Sequence, residues 1–198
     1  MKSLSLLTLV FAVSASFASQ AAQHDEQHRV GAQLFGGSAS YKSSDQDGDG
    51  VTHVYAYYNY QYDSTWALEA GINTGMEADE WKCTDDNDDK FTCTRNDKAL
   101  FEIGANELDY DNFVLAVKGQ YQLTENNYLY GKVGAHYYDY EIGYKGKNMV
   151  EEDGVSFLAE AGWQYDWDSG LSVNAAIQYM DMGDLDTSSL GVGVSYRF

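Results

Sequence analysis

The sequence predicts an all-β fold, an eight-stranded antiparallel transmembrane β-barrel. Three observations carry that expectation. Eight segments alternate apolar and polar residues with period two, and short and long connections take turns between them. Gly and Tyr are abundant and Pro is absent, at 19, 17 and 0 residues. Successive side chains of a strand point to opposite faces, so alternation makes one face apolar and the other polar. Pro cannot donate to a ladder, whereas Tyr suits strands and membrane interfaces alike. The negative mean hydropathy agrees with a barrel, because only alternate residues meet lipid.

Residues 1–22 read as a signal peptide, leaving 23–198 as a single barrel domain. Lys2 supplies the positive start, Leu4 to Ala15 is an apolar run too short to span a bilayer, and small residues follow. No later segment approaches the roughly 18 consecutive apolar residues of a membrane helix.

The first strand is expected from Arg29 to Tyr41, with a loop to Gly50, and the second from Val51 to Tyr62. After the tight connection Asp63-Ser64-Thr65, the third runs from Trp66 to Gly75 and opens into the longest loop, Met76 to Asp111. The fourth is Asn112 to Leu123 and the fifth Tyr128 to Ile142, with a turn at Thr124 to Asn127 between them. A loop from Gly143 to Asp153 leads to the sixth, Gly154 to Asp166. The seventh is Leu171 to Asp181, a loop covers Met182 to Thr187, and Ser188 to Phe198 closes the ring. Each segment has the ~9–11 residues that a tilted membrane strand needs. Short turns on one side and long loops on the other fit a barrel inserted from one direction.

The lipid face is assigned to Phe113, Leu115, Val117, Tyr121 and Leu123 in the fourth segment. In the sixth it is Val155, Phe157, Ala159, Ala161, Trp163 and Tyr165, and in the seventh Leu171, Val173, Ala175, Ile177 and Tyr179. Aromatics near the short turns, such as Trp66, Tyr121, Trp163, Trp167 and Tyr196, read as one interfacial girdle, and Tyr137, Tyr138, Tyr140 and Tyr144 as the start of the other. A soluble eight-stranded barrel would place the same apolar face inward. The polar face argues against that, because between the loops it carries few charges and these come in both signs.

The closing segment alternates Leu190, Val192, Val194, Tyr196 and Phe198 with Gly191, Gly193, Ser195 and Arg197, and ends the chain on an aromatic residue. With an export signal at the other end, it resembles the last strand of a bacterial outer-membrane β-barrel. The whole pattern is similar to the small OmpA-like and opacity-type barrels, without the periplasmic peptidoglycan-binding domain of OmpA. The resemblance implies a Gram-negative outer membrane with its lipid and lipopolysaccharide as surroundings. It also implies an assembly machinery that reads Tyr196 and Phe198, and a monomer.

A formal net charge of -19 excludes the basic surface that nucleic acid needs. Inside the predicted barrel, Glu69, Lys118, Lys132 and Glu160 fall on consecutive strands a few residues from short turns, with Arg197 on the polar face of the closing strand. An eight-stranded barrel is just wide enough for side chains to fill, and buried charges there must be paired. The same charges serve either a closed plug or a narrow gated pore for ions or small solutes.

Cys83 and Cys93 lie in the longest loop of an exported chain, and the expected state is a disulfide that staples it. Asp45, Asp47 and Asp49 with Gly50 match the opening of a calcium loop, D-x-D-x-D-G. The match fails at its twelfth position, Ala56, which leaves a solvated acidic turn or an incomplete divalent-ion site as the two readings. His53 and His136 are expected to point inward, with Ser156 as the one neighbour of His136 that a nucleophile–base pair has to choose from. No enzyme and no cofactor is expected. The function expected is an anchor that presents acidic loops for surface interaction or envelope integrity. The segment from Leu100 to Gly104 is expected to extend a strand above the membrane.

Overall fold

The computed structural model describes residues 27–44, 50–77, 81–86, 90–95 and 100–198, and of 81–95 the backbone alone. The expected signal peptide and the turn carrying Asp45, Asp47 and Asp49 lie outside the described residues.

Ten strands follow in order: β1 (His28–Tyr41), β2 (Val51–Gln61), β3 (Trp66–Glu77), β4 (Trp81–Asp86), β5 (Lys90–Arg95), β6 (Glu107–Thr124), β7 (Asn127–Tyr144), β8 (Lys147–Asp166), β9 (Leu171–Met182) and β10 (Leu185–Arg197). Eight close into a barrel in the order β1-β10-β9-β8-β7-β6-β3-β2, every neighbour antiparallel. The hairpin β4–β5 forms a separate sheet inside the longest connection.

Leu34, Leu115, Val133, Val155, Ile177 and Val192 are each more than half exposed on the outer wall, as a lipid-facing band requires. Trp66, Tyr121, Trp163, Trp167 and Tyr196 stand exposed around its short-turn end. At the other end the band stops near Ile72, Phe113, Tyr137 and Val155. Above that line the alternation reverses phase. Leu108, Tyr110, Tyr138, Tyr140 and Ile142 are buried inside the ring, while Asp109, Asp111, Asp139 and Glu141 face out. The wall therefore changes from an inside-out membrane barrel to one with an apolar core and a charged exterior.

Three expectations are corrected here. The stretches Gly143 to Asp153 and Met182 to Thr187 are strand almost throughout, turning only at 145–146 and 183–184. Their acidic residues sit on a wall that water wets, so charge there marks an outer face rather than a loop. Tyr138 and Tyr140 belong to the interior, not to a girdle, because their parity places them inside. The segment from Leu100 to Gly104 is a tight turn rather than a strand, closed by Leu100 N–H donating to Ala105 O at 2.6 Å.

That turn caps the barrel. Leu100, Phe101 and Ala105 are at most 1 % exposed, and the Phe101 ring meets Tyr41 at a centroid distance of 5.6 Å. They share one apolar cluster with Val51, Leu108, Ile142, Met182 and Leu185. Phe101 holds φ at 52°, a left-handed conformation that costs a bulky residue energy. Burial of the ring offsets that cost.

Glycines make room for the large inward aromatics. Gly71 lies under the Tyr55 ring, Gly31 under Tyr57, Gly75 under Tyr110, Gly162 under Tyr130 and Gly191 under Phe35, each so close that a Cβ would collide with the ring. The abundance of Gly and Tyr together has this packing as its physical cause.

Candidate functional site in the lumen and at the raised rim

Two ion-pair centres occupy the lumen. In the first, Lys132 of β7 reaches Glu69 of β3 at 2.8 Å and Glu160 of β8 at 2.6 Å, with all three side chains at most 3 % exposed. Neutral donors complete the carboxylates. Tyr55 donates to Glu69 at 2.6 Å. Tyr130, Gln33 and Gln178 donate to Glu160 at 2.8, 3.1 and 2.8 Å. Such a network is what makes buried charge tolerable.

Lys118 is buried in the same region and cross-strand from Lys132, yet it pairs with no carboxylate among the described residues. Its Nζ donates to Gln164 Oε1 at 2.8 Å and lies 4.1 Å from the centre of the Tyr130 ring. Lys132 holds two carboxylates, so its cluster carries one excess negative charge, and Lys118 balances it at longer range.

The second centre lies nearer the short-turn end. Arg29 of β1 donates to Asp166 at 2.7 and 3.3 Å and to Ser195 at 2.9 Å. It also donates to Ser172. Arg197 approaches the same carboxylate at 3.7 Å with its side chain 30 % exposed, so it edges this centre rather than joining the first. The sequence reading missed Arg29 and Asp166. Strand parity carries the signal, because Arg29 shares the inward phase of Gln33, and Asp166 that of Glu160 and Gln164.

Above the ion pairs, Asn73 and Asn112 face each other in register, and both aim Nδ2 at Met180 Sδ, 3.3 and 3.7 Å away. Their Oδ1 atoms, with Thr187 Oγ1 and Ser189 Oγ, have no protein partner. His53 is enclosed between Gln178 at 3.1 Å and the Tyr110 hydroxyl at 2.9 Å, and stacks on Phe35. His136 turns its Nε2 to the main-chain oxygen of Asp181 at 2.8 Å, while Ser156 Oγ donates to the Asp181 carboxylate. Serine and histidine thus both address Asp181 and not each other, so the geometry is not that of a nucleophile with its base.

On the raised outer wall, acids face acids across the ladders. Asp109, Glu141 and Glu151 form one row over β6, β7 and β8, and Asp111, Asp139 and Asp153 the next. Partial burial, then the charges of Glu141, Glu107 and Asp111, hold the Asp109 carboxyl above its ordinary range. In the hairpin of the longest connection, Cys83 and Cys93 are direct register partners. At the opposite end, Phe198 exchanges main-chain hydrogen bonds with His28 at 2.8 and 3.0 Å, and their rings stack beside Tyr196.

The model of the outer membrane protein beta-barrel domain family matches residues 9–198. Among solved structures, Neisserial surface protein A is similar at 11 % identity and a TM-score of 0.61, with 87 % of this chain and 97 % of that chain covered. Ail, the attachment invasion locus protein of Yersinia pestis, is similar at 13 % identity and a TM-score of 0.55, covering 86 % and 97 %. OprG from Pseudomonas aeruginosa is similar at 13 % identity and a TM-score of 0.53, covering 89 % and 98 %. No curated protein sequence matches. At these identities the solved structures speak for the fold alone, and the family match speaks for the chain. It belongs to the outer-membrane β-barrel family and resides in the outer membrane of a Gram-negative bacterium.

Proposed function

We propose that this protein is a non-enzymatic anchor whose barrel holds an acidic, raised rim and a projecting hairpin outward for surface interaction. The observation that carries the reading is the capped upper barrel. Strands continue past the lipid band, fill their interior with apolar side chains, and are sealed by Leu100, Phe101 and Ala105. A channel has no use for an apolar stopper, whereas a display platform needs a rigid one. The register that sets Cys83 opposite Cys93 supports the stapling disulfide. A disulfide there would stiffen the hairpin as a contact surface. The acidic rows favour ligands that bring positive charge. Lipopolysaccharide surrounds the wall, and the assembly machinery is the reader proposed for Tyr196 and Phe198. The barrel closes on itself, which supports a monomer.

A second reading is a narrow channel for ions or small solutes. The unpartnered oxygens of Asn73, Asn112, Thr187 and Ser189 favour it, since they give water places to bind inside the lumen. Single-channel recording of folded protein in a planar bilayer separates the two. A silent bilayer supports the anchor. Discrete conductance steps that change in Lys132→Ala or Glu69→Ala replace it with the channel.

A further inference from the structure

We infer that the open edge of β8 above the membrane is a docking strand for an extended, basic polypeptide segment. The inference rests on the surface-presenting reading and names its partner's chemistry. Along its whole length β8 pairs with β7, but its ladder with β9 covers only Leu158 to Asp166. β9 turns back at Met182, two residues past its last pairing with β8. From Lys147 to Phe157 the β9 side of β8 therefore has no ladder partner among the described residues, and Lys147 to Gly154 of that stretch lies above the lipid band. That part is roughly 23 Å of strand edge. Alternate residues of such an edge point N–H and C=O groups outward, which is a template for one more strand. The parting of β8 from β9 is held in place. Ser156 and His136 both bind Asp181 where the ladder ends.

Charge selects the occupant. Glu151 and Asp153 stand exposed on the outer face of this stretch, and Glu152 on its inner face is bound by the hydroxyls of Tyr140 at 2.7 Å and Tyr138 at 3.4 Å. A second copy pairing antiparallel about Glu152 would set Glu151 against Asp153, like charge opposite like charge. Edge strands are commonly guarded by charge. Lys147 begins the outer face of this stretch, but its middle carries only Glu151 and Asp153, and that pair repels its own kind and admits the opposite kind. A strand with basic residues at alternate positions meets Glu151 and Asp153 on one face. Its main chain continues the ladder, which is how added strands gain affinity, and the alternate side chains give specificity.

The test uses the full folded barrel in zwitterionic lipid nanodiscs and a ten-residue peptide of alternating lysine and valine. Amide hydrogen exchange is followed by mass spectrometry. The peptide is expected to slow exchange in 148–154, and the same peptide N-methylated on both edges, with its charge intact, is expected not to. Glu151→Gln with Asp153→Asn should weaken the effect roughly fivefold through two lost cross-strand charge pairs. No slowing in that stretch, or equal slowing by the methylated peptide, overturns the docking strand. Unchanged affinity in the double variant overturns the basic partner. The outcome is separable from the anchor reading. A conducting barrel that still protects 148–154 loses the anchor and keeps the edge, and a silent barrel without protection does the reverse.

Discussion

Replacing Lys132 with Met tests the lumen at its centre. The ammonium is shared by Glu69 at 2.8 Å and Glu160 at 2.6 Å, with exposures of 1 % for the lysine and at most 3 % for the acids. Methionine keeps an unbranched apolar stem and removes the ammonium, with its charge and its hydrogen-bond donors. The carboxylates keep their neutral donors, Tyr55 for Glu69 and Tyr130, Gln33 and Gln178 for Glu160. What is lost is the compensation of two buried negative charges. Breaking a buried pair by removing one partner costs about 3–5 kcal/mol, and here one lysine serves two acids, so the upper part of that range is expected. Urea unfolding in lipid vesicles, read by tryptophan fluorescence and by the gel shift of folded barrel on heating, measures it. Adding Glu69→Gln leaves Glu160 to be balanced by Lys118 at longer range, and the double variant should recover most of the loss. A loss below about 1 kcal/mol in Lys132→Met would refute the argument, because it would mean that water already screens this layer.

Other substitutions probe separate parts of the molecule. Gly71→Val should displace the Tyr55 ring that lies over it and part its hydroxyl from Glu69, costing about 1–3 kcal/mol in the same unfolding assay. Asp109→Asn should stabilise the raised wall at neutral pH by a few tenths of a kcal/mol, screening included. The folded-state value of Asp109 is raised, so its repulsion is fully present above that value and vanishes below the ordinary 3.8; the gain should be present at pH 7 and absent at pH 3. Phe101→Ala should open the cap without unfolding the membrane barrel. Faster amide exchange and protease cleavage near 100–106, at an unchanged global midpoint, are the expected readout.

The membrane half was legible because lipid imposes a contrast that alternation records. Phe113, Leu115 and Val117 face out and Asn112, Val114 and Ala116 face in, as period two dictates. The raised half was misread because its contrast is inverted. In Glu107-Leu108-Asp109-Tyr110-Asp111 the apolar residues keep period two but change phase, and the acids look like loop. The phase change between Tyr110 and Phe113 is itself a sequence signal, and it marks where lipid gives way to water. In the lumen, the inward parity of Glu69, Lys132 and Glu160 was readable, but which acid each lysine takes was not. That choice depends on the curvature of the wall, which lets Lys132 of β7 reach past β6 to Glu69 of β3 as well as to Glu160 of its neighbour β8, and on neutral donors scattered over other strands. The cap was illegible for a related reason, since Leu100 and Phe101 find their apolar partners on β1, β2 and β10 rather than nearby in sequence.

The glycines beneath the aromatic rings have a consequence for how the ring of strands closes. A slip of one residue between neighbours turns every side chain to the wrong face, and lipid and lumen together forbid it. A slip of two restores the faces, so hydrophobicity cannot tell it from the correct pairing. Yet a two-residue slip of β3 against β2 would carry Gly71 from under Tyr55 and bring Glu69 or Asn73 to that place. A similar collision would meet Tyr57 over Gly31, where Arg29 or Gln33 would arrive. Each ring and its glycine thus act as a key and its slot. Together they select one stagger, and hence one tilt and one diameter, from a ladder of otherwise equivalent barrels.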